Sequence, residues 1–169
     1  MVGRSYVFTS RAVGAGIVGT VVLWLFLAGS APLLGLGKLD YPRLLGTFLS
    51  GVLDLPTSKL WFLAGSLLFL VGGIAWALIY ASYLCDRLLG PGWLQGLTYG
   101  GLGVFLVSSL LFFPLMSLAH PLVRSGQMPA PGFFGLGLSG SRVALANFLG
   151  HCLFGIVMGV IYRRRLVFT

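Results

Sequence analysis

His151 is the side chain in this sequence best placed to do chemistry, and Asn147, four residues earlier, shares its helix face. The apolar stretch that holds them begins near Val143, so at 1.5 Å per residue the imidazole sits roughly 13 Å deep, near a bilayer midplane. Polar groups at that depth face protein or water and mark functional sites by default. Imidazole chemistry offers three uses here. It could make a hydrogen bond that holds helices together, within this chain or against a partner subunit. It could be an axial haem ligand, or it could hydrogen-bond a quinone. His120 lies near a helix end, so a bis-histidine haem would need a second copy or a partner chain. His151 is therefore the candidate cofactor-binding residue, with the cofactor itself unknown.

Little else invites catalysis. The only carboxylates are Asp40, Asp54 and Asp86, all at helix ends or in loops, so no acidic pair and no intramembrane proton relay is in reach. No Ser-His-Asp arrangement emerges from the positions. Cys85 falls at one end of an apolar stretch and Cys152 near the centre of another, which reads as two free thiols. Two His and two Cys so dispersed carry no metal-site spacing. No catalytic and no metal-ligating residue is expected.

One motif demands a choice. Gly14, Gly16 and Gly19 fit G-x-G-x-x-G, with Asp40 some twenty residues on, the pattern of a dinucleotide fingerprint. That chemistry needs a preceding strand and a helix N-terminus, whereas these glycines sit inside a long apolar stretch. Small residues in such stretches let backbones approach one another. Gly14, Gly19, Gly96, Gly100, Gly155 and Gly159 are accordingly expected at helix contacts.

The elements that must position these residues follow from composition. The chain is 57% hydrophobic and 8% charged, against roughly 25% charged in soluble domains. So few charges cannot cover a water-facing surface, and so many apolar residues exclude disorder. An integral membrane protein remains. The net charge of +8 comes from Lys and Arg scattered at segment ends, apart from Arg163, Arg164 and Arg165. It reads as lipid-facing charge and not as a nucleic-acid footprint. The expected partners are the lipid bilayer and other membrane subunits or further copies of the chain.

Four stretches are long enough to span, at 12–31, 60–80, 94–119 and 143–162, and none contains Asp, Glu, Lys or Arg. They must be helices, because hydrocarbon offers backbone amides no partner and no segment alternates like a barrel strand. This predicts an all-α, single-domain membrane protein over residues 1–169. The first stretch has a basic flank like a signal peptide, but its length and Pro32 argue that it is retained. With both termini inside, the inner segments carry Arg4, Arg11, Arg87 and Arg163 to Arg165. The longer outer segments carry Lys38, Arg43, Lys59, Arg124 and Arg142. The denser inner charge places both termini in the cytoplasm, in the cell's inner membrane. Between the first two spans, LLGTFLSGVLDL (44–55) is too short to cross and too apolar for a free loop, so a short interfacial or re-entrant helix is expected. Residues 120–139, rich in Pro and Gly, should be irregular, with Phe133 and Phe134 entering the interface. Pro114 should kink or relax the third span.

A shift of 82 residues aligns the first span with the third and the second with the fourth. It matches Gly14 to Gly96, Pro32 to Pro114 and Gly73 to Gly155. Two parallel two-helix repeats, 10–84 and 92–166, are the expectation. The segments APLLGLGKLDYP (31–42), PGFFG (131–135) and GHCLFGIVMGVIY (150–162) together resemble an uncharacterised family of small bacterial and archaeal four-helix membrane proteins, a domain of unknown function. That resemblance implies four helices and a Gly-His pair early in the fourth, here Gly150 and His151, and no activity. The function expected from the residues is a non-catalytic accessory subunit packed against a larger, energy-transducing membrane complex. A small oligomeric transporter or channel is one alternative, and a haem- or quinone-linked redox subunit using His151 is the other.

Overall fold

A computed structural model describes residues 9–35, 40–56 and 58–162. Arg4, Lys38 and the Arg163 to Arg165 run, which enter the charge count above, lie outside the described residues. The described residues are 82% helical, with no strand among them. Four helices are long and apolar enough to cross a membrane: α1 (Thr9–Leu33), α3 (Lys59–Leu84), α4 (Gly92–Ala119) and α5 (Ser141–Ile161). Each starts one to three residues before its apolar run does, the flanking residues joining the first turn. The expected short helix is α2 (Tyr41–Val52). Asp40 caps it, its Oδ1 accepting from the Arg43 amide at 3.1 Å, and Pro42 in the first turn needs no amide partner.

In cross-section the long helices run α3, α1, α5, α4. The most buried span is α5, half of whose apolar window is inside the protein, against 17% for α3. Glycine explains how closely α5 is gripped. A Cβ added to Gly96 would run into the carbonyl of Gly155, one on Gly159 into the carbonyl of Gly92, and one on Gly100 into the carbonyl of His151. These helices meet backbone to backbone. Against α1, a Cβ on Gly19 would press on the Phe154 ring at 2.9 Å, and one on Gly16 would come within 2.8 Å of the Ile74 Cα in α3. Gly14 has open space beside it, so Gly16 and not Gly14 makes the α1–α3 contact.

Both termini of the bundle leave from one end, since α1 and α5 run antiparallel, with Gly19 beside Phe154 and Leu23 beside Gly150. At this terminal end the α3–α4 connection is closed by polar aromatics. The Tyr99 hydroxyl donates to the Trp76 carbonyl at 2.9 Å, and Tyr80 to Gln95 Oε1 at 3.3 Å. Gln95 in turn donates to the carbonyls of Leu88 and Gly90 at 2.7 and 2.9 Å.

At the other end α2 is wedged beside α3. Added Cβ atoms on Gly46 and Gly65 would collide with the carbonyls of Trp61 and Pro42, which fixes an antiparallel crossing. The segment expected to be irregular contains only short turns, at Pro121–Arg124, Phe133–Gly135 and Leu136–Ser139. Phe133 is exposed, while the Phe134 ring lies 5.8 Å from that of Phe105. Phe134 also sits in the left-handed region at φ 58°. Three wide π turns interrupt the long helices, Tyr80–Leu84 in α3 and Tyr99–Val104 and Ser108–Phe112 in α4. Pro114, which has no amide for the Leu110 carbonyl, lies two residues after the last of them.

Candidate functional site in a lipid-facing cavity

Asn147 and His151 project from the buried face of α5, 0% and 5% exposed. The imidazole Nδ1 lies 2.8 Å from the Asn147 carbonyl, one turn back along the helix. A carbonyl only accepts, so Nδ1 carries the proton and the neutral ring keeps a lone pair on Nε2. Ser108 Oγ, the first residue of a π turn in α4, is 3.3 Å from that Nε2. The Phe105 ring meets the imidazole edge-on at 6.1 Å.

The Asn147 side chain is held by a residue from another element. The Tyr41 hydroxyl, at the start of α2, donates to Asn147 Oδ1 at 2.6 Å. Its ring is sandwiched between Phe69 of α3 and Phe113 of α4, with centroids at 5.6 and 5.9 Å. Burial pushes the Tyr41 hydroxyl well above the usual phenol range, so it stays a donor. Asn147 Nδ2 is fully buried without a partner among the described residues.

Between these groups lies a cavity of about 410 Å³, within the range of small-molecule sites. Every helix contributes to it, through Thr20, Tyr41, Gly72, Ser108 and His151 among others. Leu68, Val107 and Leu115 line it and are also exposed on the outer surface. The cavity therefore opens sideways between α3 and α4, toward what would be the acyl chains of a bilayer. Its walls are mostly apolar, with their polar groups gathered beside His151, so most of its volume offers water no partners. An apolar occupant is what the space fits.

A second cavity, of about 380 Å³, lies at the α2 end and is more polar, lined by Asp40, Arg43, Thr47 and Gln127. Tyr41 lines both cavities and is their common wall. His120 sits at this end, far from a shared site with His151. Its Nδ1 accepts from the Leu122 amide at 3.2 Å, and its Nε2 lies 3.2 Å from the Leu44 carbonyl and 3.3 Å from Thr47 Oγ1. Nε2 clasps α2 to the end of α4, while Nδ1 caps the short turn that follows. Burial lowers the His120 pKa below its ordinary value, with the Leu44 carbonyl pulling the other way.

The structure thus brings His151 and Asn147 to one buried site and places Gly96, Gly100, Gly155 and Gly159 in the helix contact beneath it. Cys85 donates from Sγ to the Ala81 carbonyl at 3.4 Å, and no disulfide joins it to Cys152. No group of three metal-ligating side chains occurs among the described residues. Sequence reasoning missed Tyr41, Ser108 and Gly72. Tyr41 follows a helix cap and Gly72 resembles any other membrane glycine, while Ser108 reaches the site only through the π turn, which no local pattern announces. Comparison of the chain with protein-family models, with curated proteins and with solved structures finds no match to any of them.

Proposed function

We propose that the chain is a non-catalytic, multi-pass membrane subunit that holds an apolar molecule taken from the bilayer, and that it works packed against a larger membrane complex. The observation that carries this reading is the cavity beside His151, apolar, of ligand size and open sideways between α3 and α4. The absence of carboxylate and basic side chains along the middle of the spans supports a holding role over ion handling. An inner-membrane location with both termini cytoplasmic belongs to the same proposal, as does membership in the four-helix family that the sequence resembles. The two-repeat organisation belongs to it too. It is supported by helix starts that agree to within about one residue under the 82-residue shift, and superposing 10–84 on 92–166 tests it.

The test is purification from the native host in a gentle detergent, followed by mass spectrometry of both proteins and extracted small molecules. The proposal expects stoichiometric partner subunits and a retained apolar compound. It also expects that compound to be lost in Gly72→Phe, which points a ring into the cavity from a position whose Cβ meets nothing within 4 Å. A wild-type protein that carries neither refutes it.

One observation favours a second reading, a small transporter: Tyr41 lines both the lipid-facing cavity and the polar one. Tyr41→Ala would join them. Faster movement of an apolar solute across liposomes containing that variant would favour transport over holding.

A further inference from the structure

We propose that the molecule held in this cavity is a neutral, lipid-soluble compound ending in a hydroxyl, and that His151 and Ser108 together recognise that hydroxyl. The inference rests on the reading of the cavity as a ligand site and names the ligand's chemistry.

A hydroxyl group needs one acceptor and one donor. With its Nδ1 proton given to the Asn147 carbonyl, His151 offers only the Nε2 lone pair. Ser108 presently faces that lone pair at 3.3 Å, which is long for a hydroxyl hydrogen bond, and a serine hydroxyl is free to rotate. A ligand hydroxyl can therefore donate to Nε2 while its oxygen accepts from Ser108. A carbonyl, as in a quinone or an ester, can only accept. It would take Ser108 and leave Nε2 unpaired against an apolar wall, a loss of about one hydrogen bond. A carboxylate or ammonium would bring a charge into a cavity that no charged residue lines.

The other hydroxyls on the wall already donate within the protein, Thr20 to the Gly16 carbonyl at 2.7 Å and Tyr41 to Asn147. The Trp76 indole also lines the cavity and makes no side-chain hydrogen bond among the described residues. Its N–H would serve a hydroxyl oxygen or a carbonyl oxygen alike and does not discriminate between them. A π turn begins at Ser108, and such turns concentrate at functional sites because they re-aim a side chain within a helix. The remaining wall is apolar and leads out past Leu68 and Val107, which is where the tail of such a molecule would lie. A phenol of the quinol type and a long-chain alcohol share this chemistry.

The experiment uses the full chain in lipid nanodiscs with a long-chain alcohol carrying a mid-chain diazirine, labelled sites being read by mass spectrometry. The competitors are 4-nonylphenol, its methyl ether 4-nonylanisole, 1-dodecanol and decyl-quinone, compared at equal mole fraction in the membrane. Labelling is expected in segments 68–76 and 104–116, with the phenol displacing the probe about tenfold better than its ether. That preference should vanish in His151→Phe while the labelling itself persists, and should remain in Ser108→Ala, where the hydroxyl still donates to Nε2 and both competitors lose the same donor. If His151→Phe fails to insert, Ser108→Ala carries the test, since loss of the preference there would place the discriminating contact on Ser108 and overturn donation to Nε2. Nonylphenol ahead of dodecanol assigns the phenolic class, and the reverse order the aliphatic one. Equal competition by phenol and ether, or a quinone that outcompetes the phenol, overturns hydroxyl recognition and leaves the cavity reading standing. Absence of label from both segments overturns the cavity reading itself.

Discussion

The same two helices, α3 and α4, behave differently at the two ends of the bundle. At the terminal end they are stitched together by Tyr80, Gln95, Tyr99 and the Trp76 carbonyl. There α4 also lies backbone to backbone on α5 through Gly92, Gly96, Gly100, Gly155 and Gly159. At the α2 end they stand apart, with Tyr41 stacked between Phe69 and Phe113 and a cavity of about 410 Å³ below it. Side-chain size at the crossing decides which happens. Glycine and alanine remove what would hold helices apart, so contact is close and leaves no space. Phe69, Phe112 and Met116 hold them apart, and polar groups set into the gap by α5 give it a chemical character. The closed half is built to be rigid and the open half to admit something.

Breaking the closed half should have the largest effect. Gly96→Val drives two methyls into the Gly155 carbonyl, and we expect a loss of roughly 3 kcal/mol or more, seen as a collapsed unfolding midpoint in mixed micelles and little protein in the membrane. In the open half, Tyr41→Phe removes a single buried hydrogen bond to Asn147 and should cost about 1–3 kcal/mol. A double-mutant cycle with Asn147→Leu would show the two losses to be one interaction.

A smaller effect belongs to the clasp at His120. Because burial lowers its folded pKa, the unfolded chain binds a proton first as pH falls. Stability from this residue is then full above about pH 6.5 and declines below it, by at most about 1.4 kcal/mol per pH unit. Protonation would also remove the Nδ1 acceptor for the Leu122 amide. Protection factors of the α2 amides should therefore fall between pH 7.5 and 5.5, and His120→Asn, which keeps an acceptor but does not titrate, should flatten that response. Gly14→Val, beside open space, should change stability by less than about 0.5 kcal/mol. A large loss there would mean that close packing is not confined to the contacts described.

Much of this architecture could be read from the residues. Four uncharged runs imply four spans, since a bilayer imposes one solution on a long apolar stretch. LLGTFLSGVLDL could only be a short helix once it was too apolar for a loop, and Asp40 with Pro42 marks its start. The depth of His151 and Asn147 follows from counting along one helix. What lay hidden depends on pairing across elements. Gly14 and Gly16 are indistinguishable locally, and only the rotation of α1 against α3 selects Gly16. The Tyr41–Asn147 bond joins residues 106 apart in sequence. The π turn that aims Ser108 at His151 depends on the packing of α4, which no hydrophobic period encodes.

An experimental structure of the chain in a lipid nanodisc tests the central claim most directly. The account predicts α3 and α4 joined at the terminal end and parted at the α2 end, with elongated non-protein density running from beside His151, past Gly72, and out between Leu68 and Val107. Contact between α3 and α4 along their whole length, with α2 displaced from between them and no room beside His151, would contradict it.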